Sequence, residues 1–165
     1  MNDSLQHKIN YIDVNNLTPY VNNSRTHSDI QVSQISSSIK EFGFLSPCLI
    51  DDKNGIICGH GRVLAAQKLN IKTIPCIEVK HLTEAQKKAY IIADNQLTLN
   101  SDWNIDLLKV EVEGLQELDF DIDLLGFDDI DAFFNENITI IPDEFKDIDE
   151  TEMAKLCPKC GFEFD

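Results

Sequence analysis

The chain has 165 residues, 42% hydrophobic and 26% charged, enough for one compact domain with a short appendage, burying roughly 70% of its unfolded surface. Seven glycines and five prolines exclude a collagen-like or low-complexity polymer. Runs such as Ile56-Ile57-Cys58 are too short to cross a bilayer, and the first eight residues hold no apolar signal core. A cytoplasmic protein with no membrane partner is therefore expected. The formal net charge of −15 is unevenly spread. Residues 1–100 carry 10 Lys/Arg and 9 Asp/Glu, whereas residues 101–165 carry 4 and 20. An acidic surface repels phosphate backbones, so the last third is a poor candidate for gripping DNA; it reads as a solvated face and tail, with screening or mimicry of a nucleic acid as the alternative.

Residues 8–14 alternate apolar and polar side chains and predict an edge strand. Residues 17–27 are an Asn- and Ser-rich loop interrupted by Pro19. Ser28 and Gln31 form a capping-box pattern, opening a helix with a stripe of Val32, Ile35, Ile39 and Phe42. Gly43 suits its end. Residues 44–50 predict a strand broken by Pro47, residues 51–55 a turn centred on Asn54-Gly55, and residues 56–58 the returning strand. Gly59-His60-Gly61-Arg62 is a glycine turn that opens a helix over residues 63–69. Residues 74–79 predict a buried strand. Thr83 and Gln86 start a second capped helix running to about Ala93, with residues 94–97 ending it. Ile105, Leu108, Val112, Leu115 and Leu118 define an amphipathic helix. Residues 120–135 suggest a short pair of helices broken at Gly126. No internal repeat is visible. The fold class is α+β, with short strands and helices between them.

The five cysteines fall into two groups. Cys48, Cys58 and Cys76 lie in apolar surroundings and are expected as reduced core thiols. Cys157 and Cys160 form a C-x-x-C pair followed by Gly161. Two thiolates on such a turn can reach one tetrahedral Zn²⁺, with the other ligands coming from a second copy, a partner, His81 or a body cysteine. His7 and His27 occupy polar loop positions and read as solvated. Trp103 reads as a packing anchor at a helix start.

The stretch richest in chemistry is the strand, glycine turn and helix around residues 56–69. Such a turn presents backbone N–H groups at the positive end of a helix and lets an anion approach closely. Arg62 supplies a fork matched to phosphate oxygens, and His60 can donate to a phosphate or carry a proton near neutral pH. The plain alternative is a structural turn whose arginine pairs with the acidic third.

Several segments in order resemble the amino-terminal domain of the ParB/sulfiredoxin superfamily. They are Leu17-Thr18-Pro19-Tyr20-Val21-Asn22-Asn23-Ser24-Arg25, then Ile35 to Phe44 with Pro47, then Ile56-Ile57-Cys58-Gly59-His60-Gly61-Arg62, Ile74-Pro75-Cys76-Ile77 and Ala93-Asp94-Asn95-Gln96. The nearest type resembled is the phage and prophage ParB-like proteins associated with DNA methyltransferases. The resemblance implies a nucleotide-binding domain over residues 8–100, with a small mixed sheet surrounded by helices. A helical extension follows over residues 101–135, then an acidic linker with the zinc knuckle over residues 136–165. In partition proteins the turn reads Gly-Glu-Arg-Arg and grips CTP, and in sulfiredoxin a similar loop holds ATP. Gly59 and Arg62 match that turn, while His60 and Gly61 depart from it, so CTP and ATP both stay open. Arg25 matches an arginine facing the same site. Asp94 and Asn95 resemble the pair that contacts Mg²⁺ and phosphate, and a helix end is the plain alternative for them. The loop contains no cysteine, so sulfinic-acid reduction is not expected.

The resemblance thus implies nucleotide binding by Arg25, Gly59, His60, Gly61, Arg62 and Asn95, with Asp94 toward a metal. The setting is phage or mobile-element DNA metabolism, with DNA or a DNA-modifying enzyme as partner. Two other classes compete with it: a Mg²⁺-dependent DNA nuclease, and a non-enzymatic interaction module forming a zinc-bridged homodimer.

Overall fold

The computed structural model describes residues 7–137. Four strands make one mixed sheet in the order β1 (Ile9–Asp13), β4 (Thr73–Glu78), β2 (Cys48–Ile50), β3 (Ile56–Cys58). β1 pairs antiparallel with β4, from Ile9 opposite Ile77 to Asp13 opposite Thr73. β2 runs parallel to β4, with Cys48 opposite Cys76, and antiparallel to β3 through the Asn54-Gly55 turn. Asn54 sits at φ +61, and the Asp51 carboxylate accepts the Lys53 and Gly55 N–H groups to close that turn.

Helix α1 (Asp29–Phe42) precedes the hairpin and packs on α2 (His60–Lys68), which returns the chain from β3 to β4. α3 (Glu84–Thr98) lies against β3, and α4 (Ile105–Glu117) and α5 (Ile130–Asn137) form an outlying pair. Strand alternation sorts the core into two layers. Cys48, Ile50, Ile56, Ile74 and Cys76 meet Val63 and Ala66 of α2. Ile57, Leu49 and Ile77 meet Ile91 of α3 on the other side. The arrangement is the α+β class expected, with helices around a small mixed sheet.

Segment 17–25 is a strap stitched to the hairpin. The Thr18 N–H donates to the Asn54 carbonyl at 3.0 Å, and Ile56 N–H donates to the Thr18 carbonyl at 2.9 Å. The amino end of α3 is fastened to the same hairpin turn. The Lys87 ammonium sits 3.4 Å from Asp51, 3.9 Å from Asp52 and 2.9 Å from Glu84. The Thr83 capping box forms in full, with the Thr83 hydroxyl on the Gln86 N–H and the Gln86 side chain on the Thr83 N–H.

Several elements differ from the sequence expectation. α3 does not stop near Ala93 but runs to Thr98, so Asp94 and Asn95 are mid-helix residues. Their polar side chains look like a stop signal, yet each finds a partner outside its own turn, described below. The glycine turn is shorter than expected, because His60, Gly61 and Arg62 already form the first turn of α2. The Ser28 capping box is half formed: Ser28 Oγ accepts from the Gln31 N–H, while the Gln31 side chain turns to His27 at 2.9 Å. Residues 44–47 are not strand, consistent with Pro47 having no N–H for a ladder. The pair of helices expected over residues 120–135 is a 3-10 turn (Ile122–Leu125), Gly126 at φ +85, and α5. Trp103 is 60% exposed, touching Phe127 with ring centroids 6.0 Å apart, so it anchors only the outlying pair. His7 stacks on His81 at 5.7 Å, although it remains exposed.

Ile74 is fully buried between β1 and β2, whereas Tyr11 on the edge strand is 72% exposed. Ile74→Ala is expected to lower unfolding free energy in urea by about 2–5 kcal/mol. Tyr11→Ala is expected to change it by less than about 0.5 kcal/mol.

Candidate functional site

One cavity of about 170 Å³ opens where β3 ends and α2 begins. Four separated segments wall it: Asn23 and Arg25 of the strap with His27 just after it, Gln31 and Ile35 from α1, residues 57–62, and Asp94 and Asn95 from α3. Every residue expected to bind nucleotide lines it, and so does Asp94.

The turn that builds it depends on Gly59. That residue has φ +99 in the left-handed region, and a β-carbon there would stand 2.8 Å from Cys48 Sγ and 3.0 Å from Arg62 Nη2. Gly59 also provides no side chain to cap α2, so the first-turn N–H groups have neither a helical nor a side-chain partner. Gly61 is buried, and a β-carbon there would come within 2.9 Å of Ile35 and 3.1 Å of His27. Both glycines therefore permit close approach, of backbone to core at 59 and of His27 and α1 to α2 at 61.

The polar side chains hold one another across the cavity. Arg25 Nη1 donates to Asn95 Oδ1 at 3.1 Å, joining residues 70 apart in sequence. Asn95 Nδ2 in turn donates to the Ile91 carbonyl at 2.7 Å, fixing the amide's orientation. Arg62 Nη1 donates to the Ser46 carbonyl at 2.8 Å. The Cys58 thiol donates to Asp94 Oδ2 at 2.9 Å and accepts from Arg62 Nη2 at 3.5 Å. The Tyr90 hydroxyl donates to Asp94 Oδ1 at 3.5 Å. Two arginines stand against one aspartate beside an uncapped helix terminus, a charge balance suited to an anion.

His60 lines the cavity and also has a structural partner. Its Nε2 accepts the Tyr20 N–H at 3.1 Å, so the neutral ring carries its proton on Nδ1. The ring latches the strap to the first turn of α2. Burial, then the nearby His27, push its pKa below the usual histidine value. Positive charge therefore comes from the arginines and not from His60.

Sequence reasoning missed three members. Cys58 is not a core thiol like Cys48 and Cys76, which are both fully buried; it is half-buried and lines the cavity. Its place directly before Gly59, at a strand end, was the available signal. His27 is not simply solvated but bonds Gln31 and packs on Gly61. Gln31 read as a capping residue only.

Asp94 is the one carboxylate lining the cavity among the described residues. A single carboxylate beside phosphate oxygens and water suits Mg²⁺, which seldom takes an all-protein cage. No cluster of three or more His, Cys, Asp or Glu side chains suited to a metal occurs among the described residues. Cys157 and Cys160, the expected zinc ligands, lie outside those residues. No helix among the described residues is long and apolar enough to cross a membrane.

The fold and this cavity fit a known class. The model of the ParB N-terminal domain matches residues 2–96, more than half of the chain, and the chain belongs to that family. The ParB-like nuclease domain-containing protein YnaK of Escherichia coli (strain K12) is 49% identical over 81 residues, covering 49% of this chain and 93% of that protein. Among solved structures, the C-terminally truncated chromosome-partitioning protein ParB of Caulobacter crescentus complexed with CTP-gamma-S has the same fold. It aligns with a TM-score of 0.58 and 22% identity, over 72% of this chain and 68% of that one. Sulfiredoxin from Arabidopsis thaliana aligns at a TM-score of 0.43 and 22% identity, over 51% of this chain and 97% of its own.

The His60 latch has a consequence for pH. Because the folded state resists protonating His60, it binds fewer protons than the unfolded chain once pH falls below the ordinary value of 6.5. Stability tied to this residue is full above that value and declines beneath it. Measured between pH 5 and 8, the unfolding free energy of the wild type is expected to fall more steeply toward acid than that of His60→Gln. Parallel curves would show that the latch is not the titrating element.

Proposed function

We propose that the chain binds a nucleoside triphosphate together with Mg²⁺. The observation that carries this reading is the convergence of Arg25, the 59–62 turn, Asp94 and Asn95 on one cavity with more cationic than anionic side chains. The triphosphate lies against the free N–H groups of the first α2 turn, with Arg62 and Arg25 neutralising its oxygens. Asn95 holds Arg25 in place. Asp94 would hold the hydrated Mg²⁺, which supplies further neutralisation of the phosphates.

At about 170 Å³ the cavity is smaller than the ~300–1,000 Å³ of ordinary ligand pockets. A neighbouring cavity of about 240 Å³ shares Ile35 and Arg62 with it and is lined by Ile39, Phe42, Phe44 and Ser46. The nucleoside goes there. A further cavity of about 330 Å³ beside α3 is a weaker choice, because its Lys87 is already engaged by Asp51, Asp52 and Glu84. CTP is the first candidate, supported by the ligand of the Caulobacter ParB structure, and ATP the second. A setting in phage or mobile-element DNA metabolism, accessory to a DNA methyltransferase, goes with the sequence resemblance.

A second reading is a Mg²⁺-dependent DNA nuclease. The name of the Escherichia coli relative supports it, as does a carboxylate beside two arginines. Under that reading Asp94→Ala abolishes Mg²⁺-dependent nicking of plasmid DNA. Nicking that persists in Asp94→Ala would remove Asp94 from the reaction.

Isothermal titration with CTP, ATP and GTP, each with Mg²⁺, tests the first reading. One nucleotide is expected to bind in the micromolar range. Arg62→Ala is expected to weaken it about 10- to 100-fold, as loss of a charge-assisted contact worth ~1.5–3 kcal/mol, with an unchanged circular dichroism spectrum. Absence of binding by all three nucleotides would overturn it.

A further inference from the structure

Cys58 stands at the centre of the charged groups without a ligand role of its own. Its sulfur is bonded from two sides, by Asp94 Oδ2 at 2.9 Å and Arg62 Nη2 at 3.5 Å. Each of those groups is tethered once more, Asp94 by the Tyr90 hydroxyl and Arg62 by the Ser46 carbonyl. Guanidinium and carboxylate thus reach the same atom without meeting. The ion pairs among the described residues are Lys80 with Glu78, and Lys87 with its three carboxylates.

We propose that Cys58 is a positioning residue, a neutral spacer whose thiol bonds both Asp94 and Arg62 and keeps them from closing into an ion pair. The guanidinium then stays open to an anion, and the carboxylate to a cation. The proposal rests on the triphosphate reading of the cavity for its purpose, though not for its geometry.

A direct arginine–carboxylate pair tends to be bidentate and would use up the fork that a phosphate needs. It would also cancel one of the two positive charges lining the cavity. A thiol prevents this while adding no charge, provided it stays protonated. A cysteine thiol ordinarily keeps its proton at neutral pH. At neutral pH the group is S–H, a donor toward Asp94 and a weak acceptor toward Arg62. An alanine or valine here offers neither bond, and an acid or amine adds a charge.

The test uses the full chain, inorganic tripolyphosphate without Mg²⁺ as the probe, and a crystal structure of Cys58→Ala. Cys58→Ser keeps a donor and acceptor and is expected to hold the wild-type affinity within about threefold. Cys58→Ala is expected to lose about tenfold, and adding Asp94→Asn to it is expected to restore the loss, because the competing carboxylate is gone. Asp94→Asn alone measures what the lost charge adds by itself, and a merely structural role for Cys58 would give the double variant that gain and no more. In the Cys58→Ala crystal the Arg62 nitrogens and Asp94 oxygens are expected within about 4 Å. Unchanged affinity in Cys58→Ala, or a loss that Asp94→Asn does not recover, would overturn the proposal. So would a crystal structure in which the two groups stay apart. If the wild type binds no tripolyphosphate, the spacer stands or falls on the distance in the crystal, and the triphosphate reading is decided separately by the nucleotide titrations with Mg²⁺.

Discussion

The left-handed backbone at Gly59 is the constraint on which the rest of the site depends. It redirects the chain from β3 into α2 within one residue, and the space where a side chain would go is already filled by Cys48 and Arg62. With the turn so tight, the first coil of α2 lies beside the end of the sheet rather than beyond it. His60 can then reach the Tyr20 backbone and hold the strap that carries Arg25. Arg62 can reach back over its own turn to the Ser46 carbonyl. A looser connection would separate these groups and leave the arginines on independent loops.

Charge is organised on two scales. The chain as a whole is strongly acidic, with the excess in its last third, while residues 1–100 are close to neutral. Within that neutral body, the cavity concentrates two arginines and an uncapped helix terminus against a single aspartate. Only the second scale decides what the cavity can hold, since charges more than a Debye length away, about 8–10 Å in ordinary salt, are largely screened. The carboxylates near the cavity matter more than the many elsewhere, and Asp94 is held by a thiol and a hydroxyl rather than by an arginine.

Local signals in the sequence carried most of the fold and much of the site. Apolar spacing and capping residues gave β1, α1, α3 and α4 to within a few residues, because each has a strong period and a clear start. The glycine turn and its arginine were legible for the same reason, being contiguous. Ends were harder. Asp94 and Asn95 look like a helix stop, and the helix continues because Cys58 and Arg25, 36 and 70 residues away, take their side chains. Likewise Gln31 fits a capping box by spacing, but His27 competes for its side chain once the strap is folded. Cys58 reads as core from its apolar neighbours, and only the strand's end at the cavity shows otherwise. These failures share a cause, since each depends on a partner far off in sequence or on the geometry of a turn. Resemblance to a family gathered Arg25, the turn and Asp94-Asn95 into one site, which no periodicity could have done.

The Lys87 cluster gives α3 a mechanical character. One end of that helix is pinned to the hairpin turn through Lys87 and the carboxylates of Asp51 and Asp52, and Asp94 lies seven residues beyond Lys87, about 10 Å along the axis. A helix of this length is stiff, so the turn's position is relayed to the carboxylate as a strut relays the position of its footing. Residues 51–55, which never touch the cavity, therefore hold the footing of the beam on which Asp94 and Asn95 are mounted. The hairpin is thereby part of the cavity's frame although it contributes no lining residue.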